Sequence, residues 1–327
     1  MRRGVDLKGA AVVVTGASSG IGRAAARRFA RKGADLVLAA RSAQSLREVV
    51  AECEAAGARA IAVPTDVTDV KSVDALAHRA VREFGRIDVW VNDAAVMAFG
   101  AIGEVPPDVQ HQVVATNLLG TMHGARAVLP TMREQRRGVI VNVASLYAKM
   151  TTPYVSAYAT SKFGVLGFSQ VLRQELQADP DIHVTTVLPG SMDTPIFQHA
   201  ANYTGRKVQP VPPVGSPERA ARAVVRSAER PRRRRVVGQS QHLATVGHAM
   251  APRTYTKIVP YAMRLVAITE EPMPHHDGNV FEPMPDVDAV TGGWRSPVRR
   301  AFVGAGVLAL AATGAAVRRR GRLRYQG

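Results

Sequence analysis

Short apolar runs, separated by longer stretches with helical spacing, organise the first 238 residues. Ala11–Val14, Leu36–Ala40, Ala60–Val63, Ile87–Val91, Val139–Val143 and Val184–Leu188 read as buried strands, with a seventh at Arg235–Val237. Between them, apolar residues recur three and four apart over about 21–31, 43–56, 69–84, 107–135, 154–178 and 216–230, which is the period of an amphipathic helix. Runs too apolar to alternate inside and outside suit a sheet covered on both faces. Strict strand–helix alternation then predicts an α/β fold, a doubly wound parallel seven-stranded sheet with right-handed crossovers, over residues 1–238.

Beyond residue 238 the pattern changes. About 240–269 reads as appended helical or irregular structure, with Tyr255, Ile258, Val259, Tyr261, Met263, Leu265 and Val266 available for packing. About 270–298 is punctuated by Pro272, Pro274, Pro283, Pro285 and Pro297 with acids between them, so 239–298 is expected to add a helical segment and a linker or surface wrap. Within the last segment, 299–327, Ala301–Val317 carries no charge and lies between Arg299-Arg300 and Arg318-Arg319-Arg320. As a helix it would span about 25 Å, short of the roughly 30 Å hydrocarbon core. Its basic flanks suit an anionic surface, so membrane contact through 301–317 is expected over packing on its own protein or on a twin subunit.

The net charge of +17 sits mostly after residue 205, yet Arg232–Arg235 lacks the interleaved aromatics and the recognised motif of a nucleic-acid site. No nucleic-acid partner is expected, and the Arg cluster reads as a guarded sheet edge. Cys53 is the single cysteine, which rules out an intrachain disulfide and fits a reducing, cytoplasmic setting. Met1–Ala10 has no apolar secretory core. No Cys/His cluster has metal-ligand spacing, and His275-His276 reads as solvated, so no metal site is expected.

Chemistry enters at Tyr158 and Lys162, four apart on a helical pattern and hence on one face. A cation fixed beside a phenol favours the phenolate and brings its pKa towards the range for proton transfer. Ser145 follows the Val139–Val143 strand, at the strand end where open α/β sheets put their ligands. Near the start of the chain, Ala11–Val14 leads directly into Thr15-Gly16-Ala17-Ser18-Ser19-Gly20-Ile21-Gly22 and then a helix. Glycines at that junction let backbone approach a pyrophosphate, and the helix N-terminus supplies N–H donors.

Thr15–Gly22, Asn92-Asp93-Ala94-Ala95, Asn117, Ser145, Tyr158-x-x-x-Lys162 and Pro189-Gly190 together resemble the short-chain dehydrogenase/reductase family, in its single-domain branch, from about Lys8 to Gly238. The resemblance implies a Rossmann-type sheet and a nicotinamide cofactor as hydride source. It implies that Tyr158 is proton donor or acceptor, that Lys162 holds the nicotinamide ribose, and that Ser145 orients the substrate oxygen. Asn117 would anchor a water on a proton relay. Thr15, Gly16, Ser18, Ser19, Gly20, Ile21 and Gly22 would cradle the cofactor, with Asp66 and Val67 at the adenine. Asn92 and Ala94, after the fourth strand, would also bind the cofactor, with Pro189, Gly190 and Thr194 near the nicotinamide. The loop Ser191–Val208 would close over both ligands. Family members commonly form homo-oligomers through their long helices, and this chain is expected to do so.

The second strand ends in Ala40-Arg41-Ser42, without the carboxylate that would accept from the ribose hydroxyls of NAD. Arg41 instead suits a 2′-phosphate, so NADP is expected over NAD. Asp93 and Ala95 depart from the family's usual Asn and Gly, and Asp93 removes an amide donor. Asn117 stands mid-helix against its propensity, which points to a role. Met97, Phe99, Leu146, Met150, Tyr154, Met192 and Phe197 would line a lipophilic mouth. The expected function is NADP-dependent interconversion of a small, lipophilic alcohol and its ketone or aldehyde. The other reading, a non-catalytic dinucleotide sensor or scaffold at a membrane, has no need of the complete Ser-Tyr-Lys set.

Overall fold

The structure, a computed structural model, describes residues 4–238, 245–246 and 248–295. The predicted 301–317 run, with the rest of 299–327, lies outside the described residues.

The strands are β1 (Ala11–Thr15), β2 (Asp35–Ala40), β3 (Ala60–Pro64), β4 (Val89–Asn92), β5 (Gly138–Val143), β6 (Ile182–Pro189) and β7 (Arg234–Val237). The helices between them are α1 (Gly20–Ala30), α2 (Ala43–Glu54), α3 (Val70–Phe84), α4 (Pro107–Val114), α5 (Gly120–Glu134), α6 (Ser156–Glu175) and α7 (Pro217–Glu229). The sheet order is β7-β6-β5-β4-β1-β2-β3, and every neighbouring pair is parallel. Alternate residues of each strand serve opposite faces. Val12, Val14, Leu36 and Leu38 pack with Phe29 of α1, Leu46 of α2 and Val224 of α7. Val13, Val37, Trp90 and Ile140 pack with Leu76 of α3, Val128 of α5 and Leu172 of α6. Both faces are therefore buried, which is why the strands read as unbroken apolar runs.

Local signals set the helix ends. Ser42 accepts the Ser45 N–H at the start of α2, and Asp69 accepts the Lys71 N–H at the start of α3. Gly85 stops α3 at φ 73°, where a residue without Cβ is unstrained. The single helix expected over 107–135 is interrupted. Ala115–Leu119 forms a π-helical turn between α4 and α5, with Asn117 at its centre. β7 closes one edge, and its Arg234 is exposed, as a guarded edge requires.

The appended segment begins with α8 (Pro252–Val266). Ile268–Pro272 then pairs antiparallel with Arg206–Val208, in the loop after β6. The chain continues back across the C-terminal ends of the strands, so the Pro-rich acidic stretch is a wrap and not a linker. Strand order reverses between β1 and β4, and ligand crevices of open α/β sheets lie at such a switch point.

Candidate active site

At the switch point, β1 ends in Thr15, whose hydroxyl donates to the Val91 carbonyl at 3.2 Å and accepts the N–H groups of Asp93 and Ala94. Those bonds fix the Gly-rich turn against the tail of β4. A Cβ on Gly16 would stand 2.7 Å from the Ala94 nitrogen, and one on Gly22 only 2.1 Å from the Gly16 carbonyl oxygen. Only glycine permits this compression. Ser19, at the N-cap of α1, makes no side-chain cap. The Asp93 carboxylate, just past the neighbouring strand, faces Gly22 there, with its Oδ2 3.0 Å from where a Gly22 Cβ would stand.

A cleft of about 630 Å³ runs from this turn along the strand ends. Gly16, Ser18, Ser19, Gly20 and Ile21 line one part, Arg41, Ser42, Asp66 and Val67 a second, and Ser145, Tyr158, Lys162, Pro189, Gly190 and Thr194 a third, with Ala94 between. Its size is that of a cofactor site. The glycine-compressed turn, the helix N-terminus and the cation at the β2 tip together fit a dinucleotide. Thr15, Gly22, Asn92 and Asn117 do not line the cleft and act behind its wall.

Ser145 follows β5 in an extended conformation and accepts the Tyr147 N–H at 3.1 Å. Tyr158 and Lys162 lie one turn apart on the first half of α6, 7% and 3% exposed. The Ser145 hydroxyl lies near enough to oppose the rise of the Tyr158 pKa, and the Lys162 ammonium stands 5.6 Å from the phenol's ring centroid while donating to the Val143 carbonyl at 3.0 Å. All three groups therefore share one end of the cleft. The sequence reading expects Lys162 to lower the phenol's pKa. In the structure Tyr158 is instead pushed up, by burial first, with the Ser145 hydroxyl opposing and the charges of Tyr147 and Asp93 adding to the rise. Burial pushes Lys162 down to about 8, against the attraction of Asp93. Burial pushes Asp93 up to about 7, opposed by Lys162 and the Gly22 N–H.

Asn117 is fully buried. Its side chain accepts the Val96 N–H at 2.8 Å and donates to the Val96 carbonyl and the Ser161 hydroxyl, both at 3.0 Å. It therefore ties the loop after β4 to α6 beside Lys162, and the π-helical turn is what places it there. Asn92 is also a scaffold group. It accepts from the Trp90 indole at 2.8 Å and donates to Asn142 at 2.9 Å, and Asn142 donates to Ser169 at 2.9 Å. This buried chain joins β4, β5 and α6. Asn142 and Ser169 give no local signal in the sequence, because a lone polar residue among apolar ones looks like noise.

At the far end, the Arg41 guanidinium is engaged by the chain itself. It donates to the backbone carbonyls of Val280 at 3.2 Å, Phe281 at 2.7 Å and Asn279. Asp66 accepts both the N–H and the hydroxyl of Thr68, which fixes its carboxylate at the cleft.

Apolar side chains surround the end that holds Ser145, Tyr158 and Lys162. Met97, Leu146, Met150, Met192 and Phe197 line it as the sequence suggests, whereas Phe99 and Tyr154 stand outside the lining. Tyr154, at φ 69° just before α6, holds Arg264 of α8 through its hydroxyl at 2.7 Å. Tyr255, Val259, Met263 and Val266 of α8 complete the wall. Helical periodicity marks these four as packing residues without saying what they cover. Among the described residues no group of His, Cys, Asp and Glu could hold a metal, and no helix is long and apolar enough to cross a membrane.

Comparison with known proteins agrees with this geometry. A family model described as short chain dehydrogenase matches residues 10–203. An uncharacterized oxidoreductase of Bacillus subtilis, YxnA, is 36% identical over 259 residues, covering 77% of this chain and 72% of its own. The 3beta-hydroxysteroid dehydrogenase 1 of Eggerthella lenta is 36% identical over 225 residues, covering 67% of this chain and 86% of its own. The crystal structure of a short chain dehydrogenase/reductase from Burkholderia phymatum in complex with NAD superposes with a TM-score of 0.69 at 26% identity, over 76% of this chain and 96% of that one. A nicotinamide-dinucleotide fold with a serine, a tyrosine and a lysine at one end of its crevice, matched over most of its length, makes this chain a member of the short-chain dehydrogenase/reductase family of oxidoreductases.

Proposed function

We propose that this enzyme interconverts a lipophilic alcohol and its ketone or aldehyde with NADP, using Tyr158 as acid and base. The observation that carries the reading is the meeting of Ser145, Tyr158 and Lys162 in one lining, at the apolar end of the dinucleotide cleft. A bound nicotinamide supplies or takes the hydride. In reduction, Tyr158 gives its proton to the carbonyl oxygen as negative charge develops there. Ser145 donates a hydrogen bond to the same oxygen and stabilises that charge. Lys162 balances the phenolate left behind, and Asn117 holds the neighbouring loop and helix in register. A phenol with an ordinary pKa of about 10 is already protonated at neutral pH, as the reductive direction needs.

Two features support the finer points. The β2 tip carries Arg41 and no carboxylate, which favours the 2′-phosphate of NADP, although the Burkholderia relative was crystallised with NAD. The wall formed by Met97, Met150, Phe197, Val259 and Met263 favours an apolar substrate, in keeping with the steroid named for the Eggerthella relative. Exposed Met122 of α5 with Phe163 and Val171 of α6 would meet the same helices of a second copy in a homo-oligomer.

The test is NADPH and NADH consumption with a panel of lipophilic ketones and aldehydes, steroids included. Tyr158→Phe is expected to lower turnover by about 10²–10⁴-fold. Turnover that survives this substitution overturns the mechanism. Unchanged NADP affinity in Arg41→Ala overturns the cofactor preference.

A further inference from the structure

Residues 276–294 form a strap that bridges the two lips of the cofactor cleft. On one lip, the Gly20 N–H at the start of α1 donates to the Ala289 carbonyl at 2.8 Å, and Arg41 donates to the carbonyls of residues 279–281. On the other lip, the strap is pinned to the loop after β6. The Trp294 N–H donates to Asp193 at 2.8 Å, and Gln198 donates its amide to the Gly292 carbonyl at 2.7 Å. The Trp294 indole donates to the Thr194 carbonyl and to Gln198, and its ring meets Phe197 edge-on at 6.1 Å. Asp288 approaches His199 at 3.5 Å, with both side chains 6% exposed.

The strap is chemically matched to the lip it covers. Residues 271–294 hold five acidic residues and no Lys or Arg, and the charges of Glu282 and Asp288 reach Arg41. A carbonyl at a helix N-terminus and three carbonyls around a guanidinium are the contacts an anionic nucleotide would make. A 2′-phosphate arriving at Arg41 meets oxygen atoms already there, and its charge is repelled by Glu282 and Asp288. NAD, with a bare 2′-hydroxyl, makes no such demand on Arg41.

We propose that this strap, and not the β2 tip alone, determines which dinucleotide the enzyme prefers, because strap carbonyls and a cofactor 2′-phosphate exchange for the Arg41 guanidinium. The inference rests on the reading that Arg41 receives the 2′-phosphate. Releasing the strap frees the Gly20 N–H for the pyrophosphate of either dinucleotide but frees Arg41 for the 2′-phosphate of NADP alone, so NADP tightens more than NAD.

The experiment uses the full chain and binding rather than turnover. Dissociation constants for NADP and NAD are measured by fluorescence titration for the wild type, Trp294→Ala, Gln198→Ala, Arg41→Ala and the Arg41→Ala/Trp294→Ala pair. Neither Trp294 nor Gln198 lines the cleft. Hydrogen exchange at Gly20 and Gly292 reports release of the strap in each variant without any cofactor. The proposal expects faster exchange at both amides and a ratio Kd(NADP)/Kd(NAD) at least threefold lower in both single strap variants. It also expects no further change in the ratio when Trp294→Ala is added to Arg41→Ala. An unchanged ratio despite faster exchange overturns the proposal, as does an equal shift for both cofactors. If Arg41→Ala weakens NADP while the strap variants leave the ratio alone, the cofactor reading stands and the strap inference alone fails. If Arg41→Ala leaves NADP binding intact, the reading itself fails.

Discussion

The Lys162 ammonium donates to the Val143 carbonyl at 3.0 Å, so a side chain from α6 holds the last residue of β5. One cation thus reaches two elements: it holds the strand that delivers Ser145 and stands 5.6 Å from the Tyr158 ring centroid. Lys162→Met keeps the length of the side chain and removes the charge. It is expected to weaken NADP binding by tenfold or more and to abolish measurable turnover, checked by nucleotide fluorescence titration beside steady-state rates. Wild-type affinity in this variant would limit the lysine to a structural role.

Asp93 gives the protein a pH signature. Its folded pKa of about 7 stands above the ordinary 3.8, so the folded chain holds this proton more tightly than the unfolded one. The resulting stability is fully present below about 3.8 and is lost as pH rises through about 7, with a slope of at most about 1.4 kcal/mol per pH unit. The facing charges are Lys162 and, when ionised, Tyr158; the lowered Lys162 value of about 8 acts above this window. Asp93→Asn is expected to flatten the decline between pH 5 and 7. Urea unfolding at both pH values reads the effect, and parallel profiles for the two proteins would contradict it.

Asn117→Ala removes the acceptor for the Val96 N–H and the donor to both the Val96 carbonyl and Ser161, all buried. Leaving buried groups unpaired costs about 1–3 kcal/mol each. A loss of about 2–3 kcal/mol in chemical denaturation is expected, with a drop in turnover. Full stability would mean that the π-helical turn holds without its asparagine.

Gly22→Ala places a methyl 2.1 Å from the Gly16 carbonyl, a backbone atom that cannot step aside. The turn must open, and dinucleotide affinity is expected to fall by tenfold or more while far-ultraviolet circular dichroism stays close to wild type. Isothermal titration reads the loss; unaltered affinity would show the turn to be looser than its packing implies.

Much of this architecture is legible in the residues. The inner strands lie where apolar runs stand, because burial on both faces leaves no alternation to confuse. The edge strand Arg234–Val237 is half-exposed and is marked by its two valines. Ser145, Tyr158 and Lys162 are readable because strand end and helical spacing are local properties. What stays hidden is long-range. The partners of Arg41 lie about 240 residues away, and no local pattern connects them. The interruption at Ala115–Leu119 adds no signal to a helical repeat beyond one awkward asparagine. The rise of the Tyr158 pKa reflects how many neighbours enclose it, which spacing alone does not report.

The pairing of Ile268–Pro272 with Arg206–Val208 sets a schedule for biogenesis. A ribosome delivers the reactive trio well before it delivers the pieces that seat the loop after β6. At about 5–20 residues per second, several seconds separate the two events. During that interval a nascent polypeptide carries a finished sheet with an unfastened mouth.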